Sequence, residues 1–211
     1  MRLTLGVPVR CADGPFGELR DIVIDPVRRR VTHLVVQPEH RHGLARLVPV
    51  DVLAAAGAED VTLSCSGEEV LQRDAVQEFA FLRAGEAPAR DEDSEVGVED
   101  VVAMPAYDAG GFDSSLGDPE RRLAVTYDRI PKGEVEIRPS SSVTSSDGHE
   151  VGRVDGFALD AERGITAVLV RCGHLWRRHT ISVPVDAVAE LGTDVVALNL
   201  PADDVSRLPG G

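Results

Sequence analysis

The side chains best suited to chemistry in this chain are histidines and a cysteine gathered in two short segments. They are His40 and His42 in the first segment, and Cys172, His174 and His179 in the second. A closed zinc site needs four ligands at regular spacing, often as Cys-x2–4-Cys pairs. Neither segment supplies such a set. We therefore predict solvated loop histidines, with no metal site and no cofactor.

Catalytic signatures are also missing from the sequence. The chain contains no GxSxG elbow, no phosphate-binding GxxxxGK[ST] loop, no GxGxxG turn after a strand and no HExxH helix. Close carboxylates such as Asp91 and Asp93 fall in a polar stretch, where burial that would separate their pKa values is not expected. We predict no catalytic residues and a protein that is not an enzyme.

The same two segments are better suited to binding than to catalysis. They read PEHRHGLAR at 38–46 and RCGHLWRRHT at 171–180, and both are basic within an acidic chain. The second contains Trp176, the single tryptophan, and Trp and Arg are over-represented at binding hot spots. The predicted partner-binding residues are His40, Arg41, His42, His174, Leu175, Trp176, Arg177 and Arg178.

Three other interpretations of these segments stay open. Trp176 can fold back and plug the end of its own domain. Arginines beside an aromatic ring also suit a phosphate or RNA contact. The basic segments can instead receive the acidic middle of the chain, through exposed ion pairs that are individually weak and screened by salt.

The elements that must position these segments occur twice. Residues 13–25 read DGPFGELRDIVID and residues 147–160 read DGHEVGRVDGFALD. Eight residues separate Gly17 from Asp25, and the same interval separates Gly152 from Asp160. Further along, VPVD occurs in both copies, starting 23 residues after the strand-ending aspartate. This order of shared elements indicates an internal repeat.

Each copy reads as a series of short strands joined by turns. Asp-Gly pairs favour turns because Gly accepts positive φ and Asp tolerates it. Asp25 and Asp160 are predicted to cap turns. Pro49 and Pro184 interrupt strand patterns, so they should lie at an edge, a bulge or a corner. A small closed or nearly closed barrel fits each copy, and residues 70–82 are predicted to add a short helix.

This pattern resembles the PRC-barrel family. The residues that carry the resemblance are the turns Asp13–Gly14 and Asp147–Gly148, the glycines Gly17 and Gly152, the strand-ending Asp25 and Asp160, and the two VPVD segments. The resemblance implies a fold found in reaction-centre H subunits and in the ribosome maturation factor RimM, and a tendency to bind other proteins. This chain lacks both the membrane helix of the former and the RNA-associated N-terminal domain of the latter.

Composition divides the chain into three parts. Residues 86–138 carry a net charge of −8, more than half of the total of −14. We predict two PRC-type barrels, at 1–84 and 133–211, joined by an acidic, partly flexible linker at 85–132. The linker is either a plain spacer or a docking segment anchored by Met104, Tyr107 and Phe112.

Charge and cysteine content restrict the partners and the compartment. A net charge of −14 disfavours binding to nucleic acid. Three cysteines, without a signal peptide or a long apolar run, predict a cytoplasmic protein that does not bind membranes. We predict a non-enzymatic interaction or regulatory module with protein partners and possible self-association through barrel faces. The alternatives are a ribosome- or RNA-associated factor and a protein that binds a small ligand or metal between the barrels.

Overall fold

The computed structural model places most of the chain in β-strands and confirms the predicted all-β class. It describes residues 1–39, 43–83, 94–96, 104–105, 122–173 and 179–210, with side chains at 1–39, 43–76, 130–173 and 179–210. The chain divides into two compact units, one formed by Met1–Asp74 with Gly133–Gly211 and the other by Ala75–Lys132. Both copies of the repeat therefore belong to one unit. Among the described residues, no helix combines the length and apolarity needed to cross a membrane.

The first copy forms a mostly antiparallel sheet that ends in a short helix. Its elements are β1 (Arg2–Thr4), β2 (Pro8–Cys11), β3 (Gly14–Asp25), β4 (Arg30–Pro38), β5 (Arg46–Pro49), β6 (Leu53–Ala56), β7 (Val61–Leu63) and α1 (Gly67–Leu71). The hydrogen-bonded order is β5-β4-β3-β2-β7-β6, with β2 and β7 parallel. Pro49 ends the outermost strand β5, as its missing N–H predicts.

The second unit is a small antiparallel sheet. Its strands are β8 (Gln77–Arg83), β9 (Ser94–Val96), β10 (Met104–Pro105) and β11 (Arg122–Pro131). Strand β11 pairs with the other three. The helix predicted over 70–82 is wrong for most of that span, because the capping box of Ser66 and Glu69 starts α1 earlier and the alternating residues QEFAFL form β8. Tyr107 and Phe112, with most of the predicted linker, lie outside the described residues.

The second copy repeats the topology of the first. Its elements are β12 (Val135–Ile137), β13 (Ser142–Thr144), β14 (Glu150–Leu159), β15 (Ile165–Cys172), β16 (His179–Pro184), β17 (Val188–Leu191), β18 (Val195–Leu198) and α2 (Ala202–Val205). The order is β16-β15-β14-β13-β18-β17, with β13 and β18 parallel. Pro184 again ends the outermost strand. The identical order confirms the repeat inferred from spacing.

The two copies exchange their first strands. Strand β1 pairs with β14 of the second copy, with Leu3 opposite Phe157. Strand β12 pairs with β3 of the first copy, with Ile137 opposite Ile22. All four of these side chains are fully buried. Burying one such side chain stabilises a fold by about 1.5–3 kcal/mol. All four belong to a single hydrophobic core that includes residues of both sheets.

A second set of reciprocal bonds joins the turns that follow β3 and β14. The N–H of Val31 donates to the carbonyl of Arg163 at 3.1 Å, and that of Ile165 donates to Arg29 at 2.8 Å. Arg30 and Gly164 form an antiparallel bridge between these turns. Because equivalent residues of the two copies meet here, the turns mark a pseudo-two-fold axis.

Two arginines reach across this axis from a left-handed backbone conformation. Arg29 has φ 52° and Arg163 has φ 68°. The Arg29 guanidinium donates to the Val188 carbonyl at 3.2 Å, and that of Arg163 donates to the equivalent Leu53 carbonyl at 2.6 Å. A left-handed non-glycine residue costs about 1–2 kcal/mol, which these cross-copy bonds help to offset.

The acidic residues at the ends of the long strands act as predicted. Asp25 Oδ1 accepts from the N–H groups of Val27 and Arg28, both at 2.9 Å. Asp160 Oδ1 accepts from Glu162 and Gly164, both at 2.8 Å. Each carboxylate therefore organises the turn that reaches the pseudo-two-fold axis.

Candidate docking groove

The predicted partner-binding residues fall outside the described part of the chain. They are His40, Arg41, His42, His174, Leu175, Trp176, Arg177 and Arg178. Their positions in the chain are nevertheless defined by the strands that flank them. The first set joins β4 to β5, and the second joins β15 to β16. Their role in binding stays a prediction.

A groove of about 380 Å³ lies beside the β4–β5 connection of the first copy. It is lined by Asp13, Pro15, Phe16, Pro38, Glu39, Gly43, Gly67, Glu68 and Leu71. Four of these residues are large and apolar, and three carry carboxylates. The groove thus combines an apolar floor with an acidic rim. Its lining comes from β3, the end of β4 and α1.

Phe16 occupies a β-bulge that turns its side chain away from the regular alternation of β3. Opposite it on β2, Val9 pairs with Gly17 and Arg10 pairs with Pro15, so Phe16 is the extra residue. Its carbonyl accepts from the Glu39 N–H at 3.0 Å. The bulge therefore ties the aromatic ring to the same end of the sheet as the β4–β5 hairpin.

Two glycines allow the close approaches that form this end of the sheet. A Cβ on Gly17 would lie 2.0 Å from the Gln37 carbonyl oxygen, and one on Gly67 would lie 2.9 Å from the Phe16 ring. A larger residue at Gly17 would push apart the backbones of β3 and β4, and one at Gly67 would displace the Phe16 ring. The Gln37 side chain also donates to the Gly43 carbonyl at 2.7 Å, which closes the base of the hairpin.

Helix α1 supplies the opposite wall. Asp13 accepts from the Gly67 N–H at 2.9 Å, so the predicted turn aspartate also caps this helix. The Ser66 backbone and side-chain donors lower the pKa of Glu69, the other member of the capping box. The helix buries Val70 and leaves Leu71 47% exposed. An exposed leucine opposite a bulged phenylalanine creates an apolar surface that a partner can cover.

The rim of the groove is acidic because Asp13, Glu39 and Glu68 all belong to it. Among the described lining residues there is no lysine or arginine. These three described carboxylates favour cationic groups.

Among the described residues, the second copy carries different side chains at the two positions that correspond to Phe16 and Leu71. Val151 is its bulged residue, since Val143 pairs with Gly152 and Thr144 pairs with Glu150. Offset by the spacing of the repeat, Ser206 occupies the position of Leu71. The helix cap is retained, with Asp147 accepting from the Ala202 N–H at 3.2 Å. A shared scaffold therefore carries large apolar side chains only in the first copy.

Two other polar clusters lie outside the groove, and neither has the geometry of a catalytic site. Glu136, on the exchanged strand β12, is 1% exposed and accepts from Arg138 at 2.8 Å. Asp21 is 2% exposed and pairs with Arg20, whose guanidinium also lies 3.8 Å from Glu136. These charges lie where β12 crosses β3, and they compensate one another inside the junction.

The second polar cluster joins His33, Thr32 and Glu134. Glu134 Oε2 lies 3.4 Å from His33 Nδ1 and accepts from the Thr32 hydroxyl. A nucleophilic triad requires the hydroxyl to bond the imidazole, whereas here both groups contact the carboxylate. Among the residues that the structure describes, no group of three or more His, Cys, Asp or Glu is placed to hold a metal ion.

Phe16 and Leu71 were not predicted as site residues from the sequence. Phe16 lies between Pro15 and Gly17 in a chain with few aromatic residues, and this setting is a weak signal for a bulge. Leu71 gave no signal, because it lies 55 residues after Phe16 and the two line one groove only in the folded chain.

No protein-family model matches the chain. No curated protein matches it either.

Proposed function

We propose that this chain is a non-enzymatic, cytoplasmic interaction module, built from two PRC-barrel-type units and an acidic linker. The duplicated topology and the repeat spacing support the family. The absence of catalytic motifs from the sequence supports a binding role. Three free cysteines, two of them buried, are in keeping with a reducing compartment.

The single observation that carries the binding role is the groove between Phe16 and Leu71. It presents the half-buried Phe16 and the exposed Leu71 beside three carboxylates, next to the basic segment of the first copy. Such surface is typical of sites that receive a side-chain anchor from another protein. We infer that the groove binds a protein segment in which a large apolar residue is flanked by Arg or Lys.

Selection from a random peptide library on the full chain tests this function. We expect selected peptides to carry Trp, Phe or Leu beside basic residues. Binding should be lost with Phe16→Glu and kept with the matched variant Val151→Glu at the equivalent bulge. Selected peptides that bind both variants equally, or a selection that yields none, would contradict the proposal.

A small cationic ligand is a second candidate, favoured by the groove volume. At about 380 Å³ the groove falls within the range of small-molecule sites. A thermal-shift screen with cationic metabolites distinguishes it, because a ligand that binds only the native state raises the midpoint of unfolding. A stabilising compound whose effect disappears in Phe16→Glu would favour this candidate over a peptide partner. An RNA-associated role is not favoured by the acidic rim.

A further inference from the structure

The groove and the Trp176 segment, defined as residues 174–178, belong to opposite ends of the compact unit. Arg30 and Gly164 meet antiparallel at the pseudo-two-fold axis, so β4 and β15 run away from it in opposite directions. At about 3.4 Å per residue, each strand leads roughly 25 Å away from the axis. The ends marked by Pro38 and Cys172 are therefore on the order of 50 Å apart along the strands.

The Trp176 segment is short compared with this path. Cys172 pairs with His179, so the residues between them leave and return at the same place. Half of so short a connection extends at most about 12 Å. Cys172 and His179, which flank the basic segment of the second copy, thus lie at the far end of a strand that leads away from the groove of the first copy.

The two features are nevertheless chemically complementary. The groove offers Phe16 and Leu71 within an acidic rim. The Trp176 segment offers Leu175 and Trp176 beside Arg177 and Arg178. Each feature occurs in only one copy of the repeat. The connection in the first copy has no tryptophan, and its one leucine, Leu44, is half-buried. The second copy has Val151 and Ser206 in place of the groove residues.

We propose that the Trp176 segment of one molecule occupies the groove of a second copy of this chain. This inference rests on the proposed function, in which the groove binds a basic segment with an apolar anchor. Because the donor and acceptor lie at opposite ends, the contact is heterologous. It leaves a free groove at one end of the pair and a free segment at the other, so the molecules associate head to tail.

The single tryptophan provides a direct probe of this contact. In the wild-type chain, we expect its emission to shift to shorter wavelength as concentration rises to about 1 mM, at the weak end of specific affinities. Sedimentation over the same range should show growing oligomers. Phe16→Glu should abolish both changes, whereas Val151→Glu should leave both unchanged.

Mixing two defective variants gives the decisive test. The Phe16→Glu chain keeps its tryptophan but has lost the groove, and the Trp176→Ala chain keeps the groove but does not emit. Titrating the second into the first should restore the shift and yield a 1:1 complex that does not grow. As a control, titrating the Phe16→Glu, Trp176→Ala double variant into the Phe16→Glu chain should give no shift. Circular dichroism confirms that each variant is folded.

The outcomes separate this inference from the proposed function. A wild-type chain that stays monomeric, or a mixture without a shift, overturns the association between copies. If library-selected peptides still bind in a Phe16-dependent manner, the groove remains a docking site for another protein. If neither the peptides nor a second copy binds, both proposals fail.

Discussion

The two copies of the repeat share one topology but differ at two places, the strand crossing and the outer end. In the first copy, buried charged side chains lie where the exchanged strand β12 crosses β3. The outer end of this copy, the end farther from the pseudo-two-fold axis, carries the groove. In the second copy, β1 crosses β14 at Gly156, and the outer end is followed by the basic segment. The reciprocal bonds at the pseudo-two-fold axis are the same in both. Divergence has thus spared the contacts at the axis and changed the two strand crossings and the outer ends.

The largest expected effect comes from breaking the charged crossing in the first copy. Arg138→Ala removes the guanidinium that binds Glu136, whose side chain is nearly fully buried. We expect a loss of about 3–5 kcal/mol in the free energy of unfolding, since a buried charge loses a partner. Urea denaturation measures it. Thr4→Ala, at the equivalent position of β1, is the matched control and should cost less than about 1 kcal/mol. Equal losses in the two variants would contradict the difference between a charged and an uncharged crossing.

A single added methyl group should disrupt the uncharged crossing, in which β1 pairs with β14. A Cβ on Gly156 would lie 2.0 Å from the Leu3 carbonyl oxygen, and φ is +151° there. We expect Gly156→Ala to cost about 3 kcal/mol through strain and loss of the β1 pairing. Gly133→Ala provides a control for strain alone, because φ is +76° but a Cβ meets nothing within 4 Å. If the two variants lose similar stability, the close approach of β1 to Gly156 is contradicted.

The helix cap of the second copy should make its stability sensitive to acid. The Ser145 side chain and, to a smaller extent, the Ala202 N–H lower the pKa of Asp147 below its ordinary 3.8. A lowered carboxyl pKa contributes stability above pH 3.8, and this stability is lost as the pH falls through the folded-state value. We expect Asp147→Asn to flatten the decline of the urea midpoint between about pH 4 and 2. Glu190→Gln is the surface control, and an equally flattened profile in that variant would contradict the assignment to Asp147.

The smallest expected effect concerns thiol reactivity. Burial raises the pKa of Cys11 to about 11 and also raises that of Cys172 in the second copy. At pH 8 about one Cys11 side chain in a thousand is then a thiolate, so alkylation should be slow in the native protein. Cys172 is less buried and should be modified before Cys11. Mass spectrometry of iodoacetamide-treated protein measures the order, and faster modification of Cys11 would contradict its burial.

Local patterns allowed much of the repeat to be predicted. Asp-Gly turns, strand-ending aspartates and prolines at outer strands depend on a few neighbouring residues, and the structure has them where the spacing places them. The helix boundary was predicted wrongly because the capping box around Ser66 competes with the apolar pattern that follows it. The groove was not predicted, because Phe16 and Leu71 come together only through a bulge and a helix distant in sequence.

By itself, the sequence determined that two similar all-β units exist, where their turns fall, and that negative charge concentrates between them. These properties follow from backbone preference and composition, which act locally. Only the tertiary structure decided that β1 and β12 exchange places and that the groove and the basic segment belong to opposite ends. An apolar alternation such as that around Leu3 or Ile137 specifies a strand with one buried face, but the choice of partner strand depends on the packing of the whole core.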